Sequence, residues 1–163
     1  HRATWKQPVI HVFDQGFAGT FWLSQLQEHK VLFILRWRKD YKLIDKAGRH
    51  LKAWRLVRGK RSLDHRMLWD ARKRCERKAV LYYLQVTPPE PGQVLWLIVS
   101  RLGNGRSPWY LLTNQAITSH EDAWQVIFAY ARRWQIEMAW RFAKTELAFE
   151  SPRVWKLSTR LKL

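Results

Sequence analysis

Val9 to Leu35 reads V-I-H-V-F-D-Q-G-F-A-G-T-F-W-L-S-Q-L-Q-E-H-K-V-L-F-I-L. Its first five residues follow Pro8 as a short apolar run and end at Asp14-Gln15-Gly16, the pattern of a buried strand that stops at a turn. Gly16 supplies the backbone freedom that such a turn uses. Ala18–Lys30 then carries a helical pattern, with Phe21, Trp22, Leu23 and Leu26 available for a core, and Val31–Leu35 is a second all-apolar strand. Strand, helix of about a dozen residues and strand predict a βαβ unit, with a parallel pair and a right-handed crossover. Functional groups of such sheets gather at the carboxyl ends of the strands, and Asp14 stands at one.

Outward from this unit the pattern changes. Between Arg36 and about Arg106, the alternating segments Leu51–Val57, Ser62–Trp69, Ala79–Thr87 and Gln93–Leu102 are separated by turn signals at Gly48, Gly59, Pro88–Gly92 and Gly103-Asn104-Gly105. They predict an antiparallel β region inserted into the α/β framework. Trp109–Thr113, closed by Asn114, is a further strand. Ser119 is a candidate N-cap with Glu121 and Asp122 in the first turn, and one helix is predicted from about His120 to Ala148, ended by Ser151-Pro152. Val126, Ile127, Phe128, Ile136, Met138, Ala139, Phe142 and Leu147 make it apolar on most sides, which predicts burial. The chain thus divides into 1–35 (strand, helix, strand), 36–114 (β-rich insertion), 115–150 (long helix) and 151–163 (a truncated basic tail).

The composition bounds the partner. With 30 Lys and Arg against 13 Asp and Glu, the formal charge is +17, and 47% hydrophobic residues argue for a folded chain. Such an excess points to a polyanion, with nucleic acid first. An anionic membrane is the rival, yet neither apolar run, Val80–Val86 nor Val94–Val99, approaches the roughly 20 residues of a spanning helix. Basic runs at Arg36–Lys42, Arg55–Arg61 and Arg72–Lys78 concentrate the charge, which favours phosphate contact over plain solvation. The single Cys75 excludes an internal disulfide and a cysteine zinc site, and fits a reducing cytosol. The eleven tryptophans could serve either as core residues or as stacking platforms.

The chemistry concentrates in Tyr130–Lys144, Y-A-R-R-W-Q-I-E-M-A-W-R-F-A-K. On a helix of about 100° per residue, Tyr130, Arg133, Glu137 and Lys144 share a stripe about 60° wide and about 20 Å long. A carboxylate between cations and a phenol suits a phosphodiester beside a metal ion. A plain Arg133–Glu137 pair on a helix surface is the bland alternative, and a buried Glu137 would need either a partner or a metal.

Tyr130-x2-Arg133-x3-Glu137-x6-Lys144 resembles the Y-R-E-K signature of DDE transposases of the insertion-sequence-four type, and V-F-D-Q-G-F around Asp14 is similar to that family's second catalytic Asp. Gln15 stands where Arg is common in the family, and the likeness runs from about Val9 to Lys144. The resemblance implies a partial ribonuclease H-like (retroviral-integrase-like) α/β core, interrupted by an antiparallel β insertion and ending in a long catalytic helix. It implies a bacterial DNA transposase of the cut-and-paste kind, cytoplasmic and bound to the nucleoid. Two Mg²⁺ or Mn²⁺ ions would be held by Asp14 and Glu137 together with a first Asp. Tyr130, Arg133 and Lys144 would hold phosphates of the transposon end, and Trp109 and Trp134 are candidates for stacking on a flipped base. The implied partners are double-stranded DNA, as transposon ends and target, and a second copy of the chain on that DNA.

The family places its first catalytic Asp on an earlier strand. Only 13 residues precede Asp14 and none is acidic, while Asp40, Asp45, Asp64, Asp70 and Asp122 all lie downstream. The chain is therefore expected to be a fragment or a decayed product, inactive alone. A basic DNA-binding module or transposase remnant that does not cut, and a metal-dependent nuclease on the same core, are the alternatives.

Overall fold

The computed structural model describes residues 9–70, 73–90, 92–104 and 107–145. Arg72, the tail 151–163 and the expected end of the long helix, with Leu147, lie outside them. Two compact units divide the chain, His1–Tyr130 and Ala131–Leu163.

In the first unit the opening stretch forms β1 (Ile10–Phe13), one 3-10 turn at Gln15–Phe17, α1 (Thr20–Glu28) and β2 (Leu32–Arg36). β1 and β2 pair in parallel, with Ile10 opposite Leu32 and Phe13 opposite Leu35, as the apolar–helix–apolar pattern predicts. β3 (Lys42–Ile44) and β4 (His50–Lys52) form a separate antiparallel pair. After α2 (Ala53–Val57) come β5 (Asp64–Asp70), β6 (Cys75–Val86), β7 (Leu95–Leu102), β8 (Trp109–Thr113) and α3 (His120–Ala131). The main sheet has the order β1-β2-β8-β7-β6-β5, antiparallel everywhere except between β1 and β2. The fold is mixed α/β on one six-stranded sheet.

Strand alternation divides the core between the two faces of that sheet. Phe33, Leu35, Leu97, Val99, Tyr110 and Leu112 pack with Leu23 and Leu26 of α1 and Ala53 and Leu56 of α2. Their neighbours in sequence, Ile34, Ile98 and Leu111, pack with Trp124, Ile127 and Tyr130 of α3. The register enforces this division, because Leu112 faces both Leu35 and Leu97 across its two ladders.

Three expectations are corrected. Leu51–Val57 is not one strand, since β4 ends at Lys52 and α2 begins at Ala53. Alternation through Val57 would have put Arg55 on the same side as Ala53, whereas a helical turn buries Ala53 and Leu56 together and leaves Arg55 outside. The long helix is two helices, α3 and α4 (Arg133–Thr145), with a turn at Arg132 where the Gln135 N–H bonds the Arg132 carbonyl at 2.9 Å. Finally, α4 contains no buried residue, and Ile136, Met138 and Phe142 are exposed. The cause is packing. Sheet burial holds α3 through Ile127 and Tyr130, and the unit ends there. Apolar composition alone does not supply a surface for α4 to be buried against.

α3 starts where its cap was expected. The Ser119 hydroxyl accepts the Asp122 N–H at 3.1 Å, while the Asp122 carboxylate accepts the Thr118 and Ser119 N–H groups, each at 2.9 Å. The Thr118 hydroxyl adds a bond of 2.7 Å. These bonds, the Thr118 hydroxyl foremost, lower the Asp122 carboxyl to about 2. Among the described residues no helix is long and apolar enough to cross a membrane.

Candidate active site

Asp14 directly follows β1 and caps the short turn, its carbonyl accepting the Phe17 N–H at 3.1 Å. The parallel register that sets Phe13 opposite Leu35 brings Asp14 and Arg36 level one step further on. By alternation both then belong to the face covered by α3. That helix delivers Tyr130, wholly buried at 0% exposure, whose hydroxyl donates to Asp14 Oδ1 at 3.1 Å. The Arg36 guanidinium lies near enough to the same phenol to influence its ionisation. Burial raises the phenol above its usual range; Arg36 opposes that shift and Asp14 adds to it. An acid, a neutral phenol and a guanidinium are thereby linked at the carboxyl ends of two parallel strands.

The setting is closely packed and hydrogen-bonded. Trp109 packs edge-on against the Tyr130 ring, with centroids 5.1 Å apart. Asn114, just past β8, accepts the Phe33 N–H at 3.1 Å and donates to the Val31 carbonyl at 2.8 Å, tying the start of β2 down. Buried Thr113 donates to the Phe33 carbonyl at 2.7 Å.

The other expected site residues belong to the second unit. On α4, Arg133 and Glu137 form an i, i+4 ion pair of 2.5 Å, and the Glu137 side chain is 47% exposed. Burial is therefore not what demands a partner for Glu137, and the surface-pair geometry is present. Arg133 also covers the Trp134 ring at 5.4 Å. Lys144 is exposed in the last turn, at the spacing that keeps it on the same helix edge as Arg133 and Glu137. Tyr130 belongs to α3, which ends at Ala131 before the turn at Arg132, and not to α4. Trp109 is half-buried in the core, while Trp134 is exposed.

The downstream aspartates have structural work. Asp45 accepts the Ala47 and Arg49 N–H groups and pairs with the Arg49 guanidinium at 2.7 Å. Asp64 accepts the Trp124 indole N–H at 2.8 Å, and Asp70 is buried against Arg77 at 3.2 Å. Among the described residues no three His, Cys, Asp or Glu side chains form a metal-binding group. Sequence reading missed Arg36 as the partner of Tyr130. It lay in a basic run, and only the strand register singles it out from its neighbours.

A model of the family described as "Transposase DDE domain" matches residues 2–157. Among curated proteins there is no match.

Proposed function

The chain belongs to the transposase DDE domain family, and from that premise we propose that it is the catalytic domain of a cut-and-paste DNA transposase on a ribonuclease H-like core. The observation that carries the proposal is Asp14, an acid at the carboxyl end of a parallel strand with a buried tyrosine hydroxyl on one of its oxygens. A carboxylate so held loses little freedom when it acts, which is the pre-organisation a reacting phosphodiester needs.

In this proposal Asp14 and Glu137 are the acidic pair of the reaction. Their oxygens suit a hard divalent cation such as Mg²⁺ or Mn²⁺, so they match such an ion in donor type, although the described residues do not assemble the usual number of ligands. A bound ion would supply activation of water or a DNA 3′-hydroxyl and relief of charge on the leaving oxygen. Tyr130 orients Asp14 instead of touching phosphate, since its hydroxyl is buried and engaged. Arg133 and Lys144 take the DNA phosphates, and the Arg133 fork suits bidentate contact. The Arg133–Glu137 pair balances the carboxylate in the absence of DNA.

The test is Mg²⁺- or Mn²⁺-dependent nicking and strand transfer by the full-length protein on DNA carrying its own element's ends. Asp14→Asn and Glu137→Gln should each abolish both steps while salt-sensitive DNA binding persists. Nicking that survives both substitutions would refute the assignment. The charge of +17 favours a second reading, a basic DNA-binding module that does not cut. Binding with no cleavage under any divalent cation would support that reading.

A further inference from the structure

Two clefts of the first unit adjoin, sharing Pro108 and Tyr110 in their walls. One, of about 430 Å³, is lined by Arg36, Trp37, Arg38, Lys39 and Tyr41 among others. The second, of about 440 Å³, has Trp54, Arg58, Lys60, Tyr82 and Arg101 in its lining. Among the described residues six cations line the pair, against one carboxylate, Asp40, which itself lies 4.0 Å from the Lys52 ammonium. The first cleft shares Arg36 with the candidate active site, while Asp14, Tyr130, Arg133, Glu137 and Lys144 are not among the lining residues described for either.

A further feature points to an anionic occupant. The Arg38 guanidinium lies over the Tyr41 ring at 5.3 Å and that of Arg58 over the Trp54 ring at 5.4 Å. A guanidinium held on an aromatic face has already given up rotamer freedom, so less is lost when its fork meets a phosphate. Stacked arginines and aromatic walls together match the backbone and bases of a nucleic-acid strand.

We propose that the paired clefts bind one single-stranded nucleic-acid segment, with Arg38 on one phosphate and Arg58 on another. Each cleft falls in the size range of sites that enclose a small ligand, about 300–1,000 Å³. A nucleotide or two of a single strand fits inside, whereas a duplex can only lie across the mouth. The inference rests on the DNA reading above and assigns it a second surface.

Anisotropy titrations of a short labelled single strand between about 50 and 200 mM salt test it. Arg38→Gln with Arg58→Gln should lower the slope of log K against log salt by about 1.4, at ~0.7 per phosphate lost. Arg55, which also stacks on Trp54 at 5.4 Å but lines neither cleft, is the control, and Arg55→Gln should leave the slope within half of one phosphate's share. Thermal melting of each variant checks that the fold is kept.

A folded double variant with the wild-type slope overturns the cleft assignment and leaves the transposase reading standing. So does an equal or larger loss on duplex than on single strand, or binding of anionic vesicles in preference to the oligonucleotide. A wild-type chain that binds no nucleic acid at all overturns both.

Discussion

Removing one oxygen, by Tyr130→Phe, tests the linkage at the centre of the candidate site. The ring stays, so its edge-on contact with Trp109 and its burial under α3 are preserved. What is lost is a hydroxyl bonded to the Asp14 carboxylate at 3.1 Å, with the Arg36 guanidinium nearby. A hydrogen bond to a charged group contributes about 1.5–3 kcal/mol, so the expected loss is about 2 kcal/mol. For a chain of this length that is a fall of about 4–8 °C in Tm. The pH dependence has a definite sign. A phenol whose folded pKa lies above its unfolded value adds stability that is complete below the unfolded value, about 10, and is lost as pH rises through the folded one. The gap between wild type and Tyr130→Phe should therefore be constant from about pH 7 to 9 and narrow above about pH 10. Tyr110, also raised by burial, is common to both proteins and cancels in the difference. Urea denaturation across that range measures the gap, and a double-mutant cycle with Asp14→Asn should return a coupling of about 0.5–3 kcal/mol. A stability loss within about 0.5 kcal/mol of zero, or additive single effects, would refute the linkage.

Four other outcomes follow from particular contacts and from one backbone position. Ser119→Ala should cost about 1 kcal/mol by uncapping α3, read from thermal melting. The Asp122 carboxylate beside it, lowered to about 2, contributes stability that is present above its unfolded pKa near 3.8 and lost as pH falls toward 2. Asp122→Asn should flatten acid unfolding over that window. Trp124→Phe removes the indole bond to Asp64 at 2.8 Å in a wholly buried position, and should cost about 1–3 kcal/mol. Because that bond is the chief cause of the lowered Asp64 carboxyl, an NMR titration of the variant should find Asp64 nearer its ordinary value. Gly103→Ala should destabilise by about 1–2 kcal/mol, because Gly103 has φ of +60°. A Cβ there would also lie 2.4 Å from the Arg77 guanidinium, which Asp70 holds.

Much of the fold was legible because it rests on local periodicity. Val9–Phe13, Val31–Leu35 and Trp109–Thr113 are apolar runs too short for helices, and each became a strand within a residue or so of its expected bounds. The cap at Ser119 was readable for a related reason, since it depends on residues three apart. Errors came where two periods compete or where composition stood in for packing. Leu51–Val57 alternates weakly enough to suggest a strand, and only the core contacts of Ala53 and Leu56 favour the turn of helix. Residues 120–145 are helical almost throughout, yet nothing local distinguishes the packed half from the exposed half.

By itself, the sequence determined the charge, the opening βαβ unit, the spacing of the acidic and basic signature residues, and the family to which they point. These depend on residue type and on neighbours within a few positions, where backbone geometry is regular. The tertiary structure alone decided that Tyr130 belongs with Asp14 and Arg36, 116 positions from the first of these. It also decided that Asp45, Asp64, Asp70 and Asp122 are engaged in turns, caps and ion pairs. The physical reason is that a hydrogen bond acts over about 3 Å, and strand register and helix packing determine which distant side chains come that close.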